Sequence, residues 1–373
     1  MFASVSGITS TPLQRVHLHL RTMGWRANIL LDSLLEYFAA VGYPDNQVPW
    51  ERVPVSAIVK FSRGKRMSSW TRRTFCKGAV LWSAAAAFAK ETKSPQANFP
   101  TDPRARVAVA TYPFRSILIS PTNDDRDTSK PGMDLAAFAR YVRTEFHVRG
   151  IEPLSLHFPS TAPDEILKLR AAFDAAGVHT VNIPVDDSVE LCSTDLAKRN
   201  AGNARYRTWI DIAVTLKSPS IRIWIPKCSD TSDLPRAVDA LKPTLDYATA
   251  HNIVVNLEND DPILSSDKRI LAAIQLANTP YLRALPDFAN SLMGGDEQFN
   301  TQAVRRMFAH AWNIAHVKDA EMIRGKRETV SLSELFGIAK AAQYRGYYSM
   351  ESDSDVDPVV DTKHLIERSL ALI

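Results

Sequence analysis

The sequence predicts a (β/α)₈ TIM barrel over residues 104–373, preceded by an export signal and an N-terminal extension without an assigned fold. Three observations predict it. Eight short runs rich in β-branched and aromatic residues alternate with stretches of helical periodicity. The repeat fills about 270 residues, the usual size of such a barrel. No G-x-G-x-x-G follows the first run, so the signature of a dinucleotide-binding open sheet, the main competing arrangement, is missing.

Residues 1–66 carry no motif that points to chemistry. Their "ILLDSLLEYFAAV" has amphipathic helical spacing. Because Met67 stands directly before a signal-like segment, residues 1–66 read as an over-long gene model or a small genuine extension. Residues 67–89 read as a twin-arginine signal peptide. Arg72-Arg73 precede Phe75 and Lys77, then an apolar run, then Ala87-Phe88-Ala89 in the pattern of a cleavage site. An ordinary basic amphipathic helix is the plainer alternative. The signal reading puts the mature chain in the periplasm or outside the cell, with the twin-arginine export machinery as a transient partner. It leaves no stable membrane association after cleavage, and no uninterrupted apolar stretch is long enough to read as a transmembrane helix. Residues 90–103 are polar and proline-containing and read as a linker.

The net charge of +4 is unevenly placed. Residues 1–89 hold 11 Lys+Arg against 4 Asp+Glu, and the remainder holds 34 against 37. The main body therefore has no electrostatic pull toward phosphate backbones, and no nucleic-acid partner is expected. Cys76, Cys192 and Cys228 have no zinc-like spacing and are too few for a disulfide framework, so they read as buried or incidental thiols.

Within the barrel the expected strands are 107–114, 151–158, 180–185, 220–225, 253–259, 282–288, 314–320 and 346–352. Between them, "MDLAAFARYVRTEF", "APDEILKLRAAFDAAG", "LPRAVDALKPTLDYATAH" and "SLSELFGIAKAAQ" have helical spacing. Asp134, Asp164, Ser232, Thr301 and Ser331 are the expected helix caps, and Gly177 and Gly346 the expected stops.

Chemistry in such barrels sits at the C-terminal strand ends. There the fifth expected strand ends at Glu258 and the sixth at Asp287, the seventh carries His316, and the eighth ends at Glu351. The gaps of 29, 29 and 35 residues are each one βα unit, so four metal-ligand side chains recur with the architectural period. On one rim, three carboxylates and an imidazole would repel without a cation, and with a divalent metal they form an O,O,O,N site.

The stretches "LEND", "PDFAN", "HVKD" and "YYSMES" resemble the strand-end motifs of the xylose isomerase-like barrel superfamily, in particular its sugar phosphate isomerase/epimerase group. The resemblance covers roughly residues 105–373, including "SLHFP" and "VNIPVD". It implies one divalent metal (manganese, zinc, cobalt or magnesium) held by Glu258, Asp287, His316 and Glu351, and no organic cofactor. It also implies proton abstraction beside a carbonyl through an enediolate, with Glu258 and Glu351 as the catalytic pair, on a small-molecule carbohydrate. Ala289 and Asp260 depart from the usual family residues without removing a ligand, and Asp260 adds negative charge at the rim.

Around this set, His157 is a candidate for a sugar hydroxyl or a core histidine. Arg222 and Lys318 are candidates for pairing with a substrate or protein carboxylate. Trp224, Tyr112 and Phe114 are candidates for stacking or packing, and Asn259 and Asn290 for orienting Glu258 and Asp287. An exported protein meets few sugar phosphates, so the expected substrate is an unphosphorylated sugar, keto-sugar or inositol-like molecule. The leading expectation is an isomerase or epimerase. Alternatives are a lyase that cleaves 3-keto glycosides by elimination and a non-catalytic exported sugar-binding barrel. An apurinic-site endonuclease on the same fold is disfavoured by Asn290 and by the mildly acidic body. A homo-oligomer is compatible with all of these.

Overall fold

The computed structural model describes residues 94–186, 189–224, 233–260, 266–353 and 357–373. The extension, the signal, Cys76, Cys228 and the expected cap Ser232 lie outside them.

The barrel strands are β1 (Val107–Ala110), β2 (Gly150–Glu152), β3 (His179–Thr180) with β4 (Ile183–Val185), β5 (Ser220–Ile223), β6 (Val254–Glu258), β7 (Leu282–Leu285), β8 (Ile314–Val317) and β11 (Tyr347–Met350). Most are buried along their whole length, as expected for parallel strands covered by helices. Parallel pairing runs β3-β2-β1-β11-β8 in one sheet and β4-β5-β6-β7 in the other. β3 and β4 are two halves of the third barrel strand, interrupted at Val181-Asn182. The other seam is spanned by bridges that pair Ala284 with Ala311 and Asp287 with His316. The strands are shorter than the sequence runs suggest. After β1 and β2 the chain turns into 3₁₀ segments at Tyr112–Ile117 and Ser155–His157, because beyond the barrel rim no neighbouring strand remains to pair with.

Among the described residues, eight α-helices surround the strands: α1 (Leu135–Glu145), α2 (Pro163–Ala176), α3 (Leu196–Leu216), α4 (Leu234–Ala250), α5 (Asp267–Ala277), α6 (Glu297–Phe308), α7 (Leu332–Ala341) and α8 (Pro358–Leu370). Asp134 and Ser331 cap α1 and α7 as expected, accepting from the Ala137 and Glu334 amides. Asp164 is instead in the first turn of α2, where it faces the positive end of the helix dipole behind Pro163. Thr301 is interior to α6, whose cap is Asp296 accepting from Phe299 N–H. Gly177 ends α2 with φ 68°. Gly346 stops no helix. It leads into β11 at a point where a Cβ would fall 2.5 Å from the Asn313 carbonyl carbon.

An antiparallel hairpin, β9 (Ala320–Ile323) and β10 (Lys326–Thr329), was not expected from the sequence. Its two turn residues, Arg324 and Gly325, both have positive φ, the geometry of a tight two-residue hairpin turn. The stretch read as a linker is docked from Ser94 onward. Gln96 exchanges hydrogen bonds with Asn252, and Phe99 packs edge-on against Trp312 and Tyr347 at the N-terminal end of the barrel. Cys192 is disulfide-bonded rather than a free thiol, and its partner lies outside the described residues. A single pair needs only two cysteines, so a count too low for a framework did not exclude it.

Candidate metal centre

Four elements deliver the four expected ligands to one point. Glu258 is the last residue of β6, Asp287 follows β7, His316 lies within β8, and Glu351 follows β11. The bridge between Asp287 and His316 fixes two of them side by side. One ligand atom from each lies within 4.8 Å of the others, and all four residues are buried. His316 is at the centre. Its Nδ1 is 2.7 Å from Glu258 Oε1, 3.0 Å from Glu351 Oε2 and 4.0 Å from Asp287 Oδ2.

The protein has prepared individual atoms for this point. Asp287 Oδ1 accepts the Ala289 and Asn290 amides at 2.8 and 2.7 Å, while Oδ2 faces the cluster with no hydrogen-bond partner among the described residues. A buried carboxylate oxygen without a donor is costly unless a cation completes it. Burial, reinforced by Glu258 and Glu351 and opposed by Lys318, pushes the Asp287 carboxyl up to about 7. Burial would also raise Glu258 and Glu351, but His316 with Arg222 holds Glu258 below the usual range, and His316 with Lys318 does so for Glu351. For His316, burial favours the neutral ring, yet the carboxylates Glu152, Glu258 and Glu351 outweigh it and raise the imidazole well above its usual value. Hard oxygens and one imidazole, with excess negative charge and an unpartnered oxygen, fit a divalent cation.

Behind the cluster stands Glu152, a residue that the sequence reading passed over. Its Oε1 is 3.0 Å from His316 Nε2, and Asn182 Nδ2 donates to the same oxygen at 2.8 Å. The bonds continue into the barrel through Ser220 Oγ to Asn182 Oδ1 at 2.5 Å, Asn313 Nδ2 to Ser220 Oγ at 2.7 Å, and Asn256 Nδ2 to Asn313 Oδ1 at 3.1 Å. The break in the third strand places Asn182 in this chain. The available signal was a carboxylate inside the otherwise apolar start of "IEPLSLHF".

A family model described as "Xylose isomerase-like TIM barrel" matches residues 144–373. The chain belongs to this family. No match was found among curated proteins. Solved structures similar to it include an L-ribulose 3-epimerase, at 16% identity and TM-score 0.56, covering 72% of this chain and 95% of that one. A xylose isomerase-like TIM barrel protein from Mycobacterium smegmatis in complex with magnesium has 15% identity and TM-score 0.55, covering 72% and 96%. A 3-keto-D-glucoside 4-epimerase from E. coli has 14% identity and TM-score 0.53, covering 71% and 98%. At these identities the likeness shows the fold.

The remaining candidates on this xylose isomerase-like barrel divide. Arg222 Nε pairs with Glu258 Oε2 at 2.8 Å, and its Nη1 with Asp186 Oδ1 at 2.5 Å. Trp224 Nε1 donates to the same Asp186 oxygen at 2.8 Å, and its ring lies 5.1 Å from the guanidinium, so it braces Arg222. Lys318 Nζ donates to Asn290 Oδ1 at 2.7 Å and stands 3.5 Å from Glu351 and 3.8 Å from Asp287. Burial opposes its charge, but Asp287, Glu351 and Glu321 raise its pKa well above normal. Asn290 Nδ2 reaches Glu258 Oε1 at 3.3 Å, so Asn290 touches two of the four expected ligands, Glu258 and Asp287. Asn259 instead clamps the Asp287 backbone, accepting from its N–H at 2.8 Å and donating to its carbonyl at 3.1 Å.

His157 bonds Thr111 Oγ1 at 2.8 Å through Nδ1, and burial pushes it down to about 4, so it is neutral at physiological pH. Among the described residues its ring bonds none of the four expected ligands. Phe114 is core, packed on Phe138, Tyr141 and Phe146, whereas Tyr112 stays at the rim with Lys318 Nζ 6.0 Å from its ring. Asp260 is raised to about 8 by burial and by Glu258. Asp186, like Glu152, was not singled out from the sequence, because only the fold brings it to Arg222.

Proposed function

We propose that this barrel is a divalent-metal-dependent isomerase or epimerase acting on an unphosphorylated sugar, keto-sugar or inositol-like substrate through an enediolate. The observation that carries the reading is the convergence of Glu258, Asp287, His316 and Glu351 on one point of the C-terminal rim. The divalent ion they would hold supplies polarisation of the substrate carbonyl and charge stabilisation for the enediolate. Asp287 and His316 are fully enclosed and serve as holders. Glu258 and Glu351 place their Oε1 and Oε2 atoms 2.7 and 3.0 Å from His316 Nδ1, closer to it than Asp287 Oδ2 at 4.0 Å. That position suits them to move a proton at the carbon beside the carbonyl, one as base and the other as acid. His316 with Arg222 at Glu258, and His316 with Lys318 at Glu351, outweigh burial and keep both carboxylates ionised, so either can serve as the base, while the one that serves as acid must first take up a proton. The neighbours described as sugar 3- and 4-epimerases support chemistry of this kind.

The test begins with the metal content of the purified protein after dialysis without chelator. About one divalent ion per chain is expected, followed by solvent deuterium entering a ketose in heavy water. Release of the aglycone from a keto-glycoside in the same assay would instead mark elimination. A protein that takes up neither manganese, cobalt nor zinc would overturn the enzyme reading in favour of a sugar-binding barrel.

A further inference from the structure

A cavity of about 500 Å³ opens on the same end of the barrel as the metal cluster. It lies between the turn after β2 and the middle of α3. Leu156, Pro121 and Pro159 give it apolar walls, backed by the buried Phe158 and Trp209 rings, which pack edge to face at 5.1 Å. Ser155 and Thr208 add hydroxyls, and Asp186 adds a carboxylate.

Asp186 connects this cavity to the proposed chemistry. Its backbone N–H donates to Ser155 Oγ at 2.9 Å, which anchors it. Its Oδ1 is held by Arg222 and Trp224, and Arg222 in turn holds Glu258. One guanidinium therefore separates the cavity wall from an expected ligand. The Asp186 side chain remains 22% exposed and so is available to a ligand hydroxyl. Apolar walls, hydroxyls and an oriented carboxylate match a pyranose ring, which has apolar C–H faces and a rim of hydroxyl donors. A single sugar on the metal cluster would leave this space unused.

We propose that the cavity is a subsite for a second sugar ring, so that the substrate is a glycoside whose reacting ring sits on the metal cluster. The proposal rests on the sugar-isomerase reading above. The second ring stacks its C–H face on the apolar walls and donates a hydroxyl to Asp186.

The test is calorimetric binding of fructose, turanose and isomaltulose to the purified full chain with manganese added. The last two sugars are fructose carrying a glucosyl ring at different positions. Thr208→Trp and Thr161→Trp, both at exposed cavity-lining positions, fill the space from the solvent side. At least one disaccharide should bind tenfold or more tighter than fructose. Each variant should remove that gain and leave fructose affinity unchanged. Equal affinities, no binding of either disaccharide, or a gain that survives both variants would overturn the subsite. Deuterium exchange separates the two proposals. Disaccharide binding that both variants abolish, with no exchange into any sugar, would sink the isomerase reading and keep the subsite. Exchange into fructose without a disaccharide gain would do the reverse.

Discussion

Glu152 decides which nitrogen of His316 serves the cluster. With Glu152 Oε1 3.0 Å from Nε2, the Nε2 proton has an acceptor and Nδ1 is turned to the carboxylates. Partners of this kind fix the tautomer of a metal-ligating histidine, and their loss typically costs about 10- to 100-fold in metal affinity. Glu152→Gln should therefore weaken manganese binding by roughly that factor, measured by calorimetry, with an unchanged circular dichroism spectrum. An unchanged affinity would reduce Glu152 to packing. The pH dependence follows from the same atoms. Asp287 titrates at about 7 and His316 well above its usual value, so both carry protons over part of the neutral range and must lose them to become ligands. Glu258 and Glu351 are already ionised there and add no slope. Metal affinity should rise with pH through 7, with protons released on binding. Calorimetry in buffers of different ionisation enthalpy would show the release, and a pH-independent affinity between 6 and 8 would contradict it.

At the scale of elements, alternation and periodicity identified the barrel strands and helices, because parallel strands enclosed by helices must be continuously apolar. Their ends were harder to read. The run "VAVATYPF" is apolar throughout, but only Val107–Ala110 pairs with neighbours, and the rest folds into the rim. The interruption of the third strand was invisible because Asn182 is explained by Glu152 and Ser220, which come from other strands. Gly346 was misread for a related reason. Glycine after a helical stretch suggests a helix stop, whereas here it permits close approach to Asn313 across the barrel floor. Gly346→Ala would place a Cβ 2.6 Å from the Asn313 carbonyl oxygen, against backbone that has little freedom to retreat. Overpacking of this kind costs about 1–3 kcal/mol. The melting temperature should drop by several degrees, and a melt superimposable on the wild type would show that the floor yields.

For the whole molecule, the four expected ligands were legible because a closed barrel converts one residue per βα unit into neighbours on a rim. Glu152 and Asp186 were not, because their roles depend on residues across the barrel that no spacing announces. The leader poses the opposite problem: its motif is plain in sequence, and it lies outside the described residues. The disulfide at Cys192 offers an independent handle, since such bonds persist mainly in oxidising compartments. Cleavage near Lys90 would remove Cys76 and leave Cys228 as the only other cysteine of the chain. We therefore expect the exported protein to begin near Lys90. Its Cys192 and Cys228 peptides should be linked until reductant is added, as read by mass spectrometry of the periplasmic fraction. Replacing Arg72-Arg73 with two lysines should hold the precursor in the cytoplasm with both thiols open to alkylation. If the paired-lysine variant is still processed and oxidised, the twin-arginine route is wrong. If the wild-type chain keeps residues 67–89 and reduced thiols, the protein stays inside the cell, and the argument for an unphosphorylated sugar falls with its export.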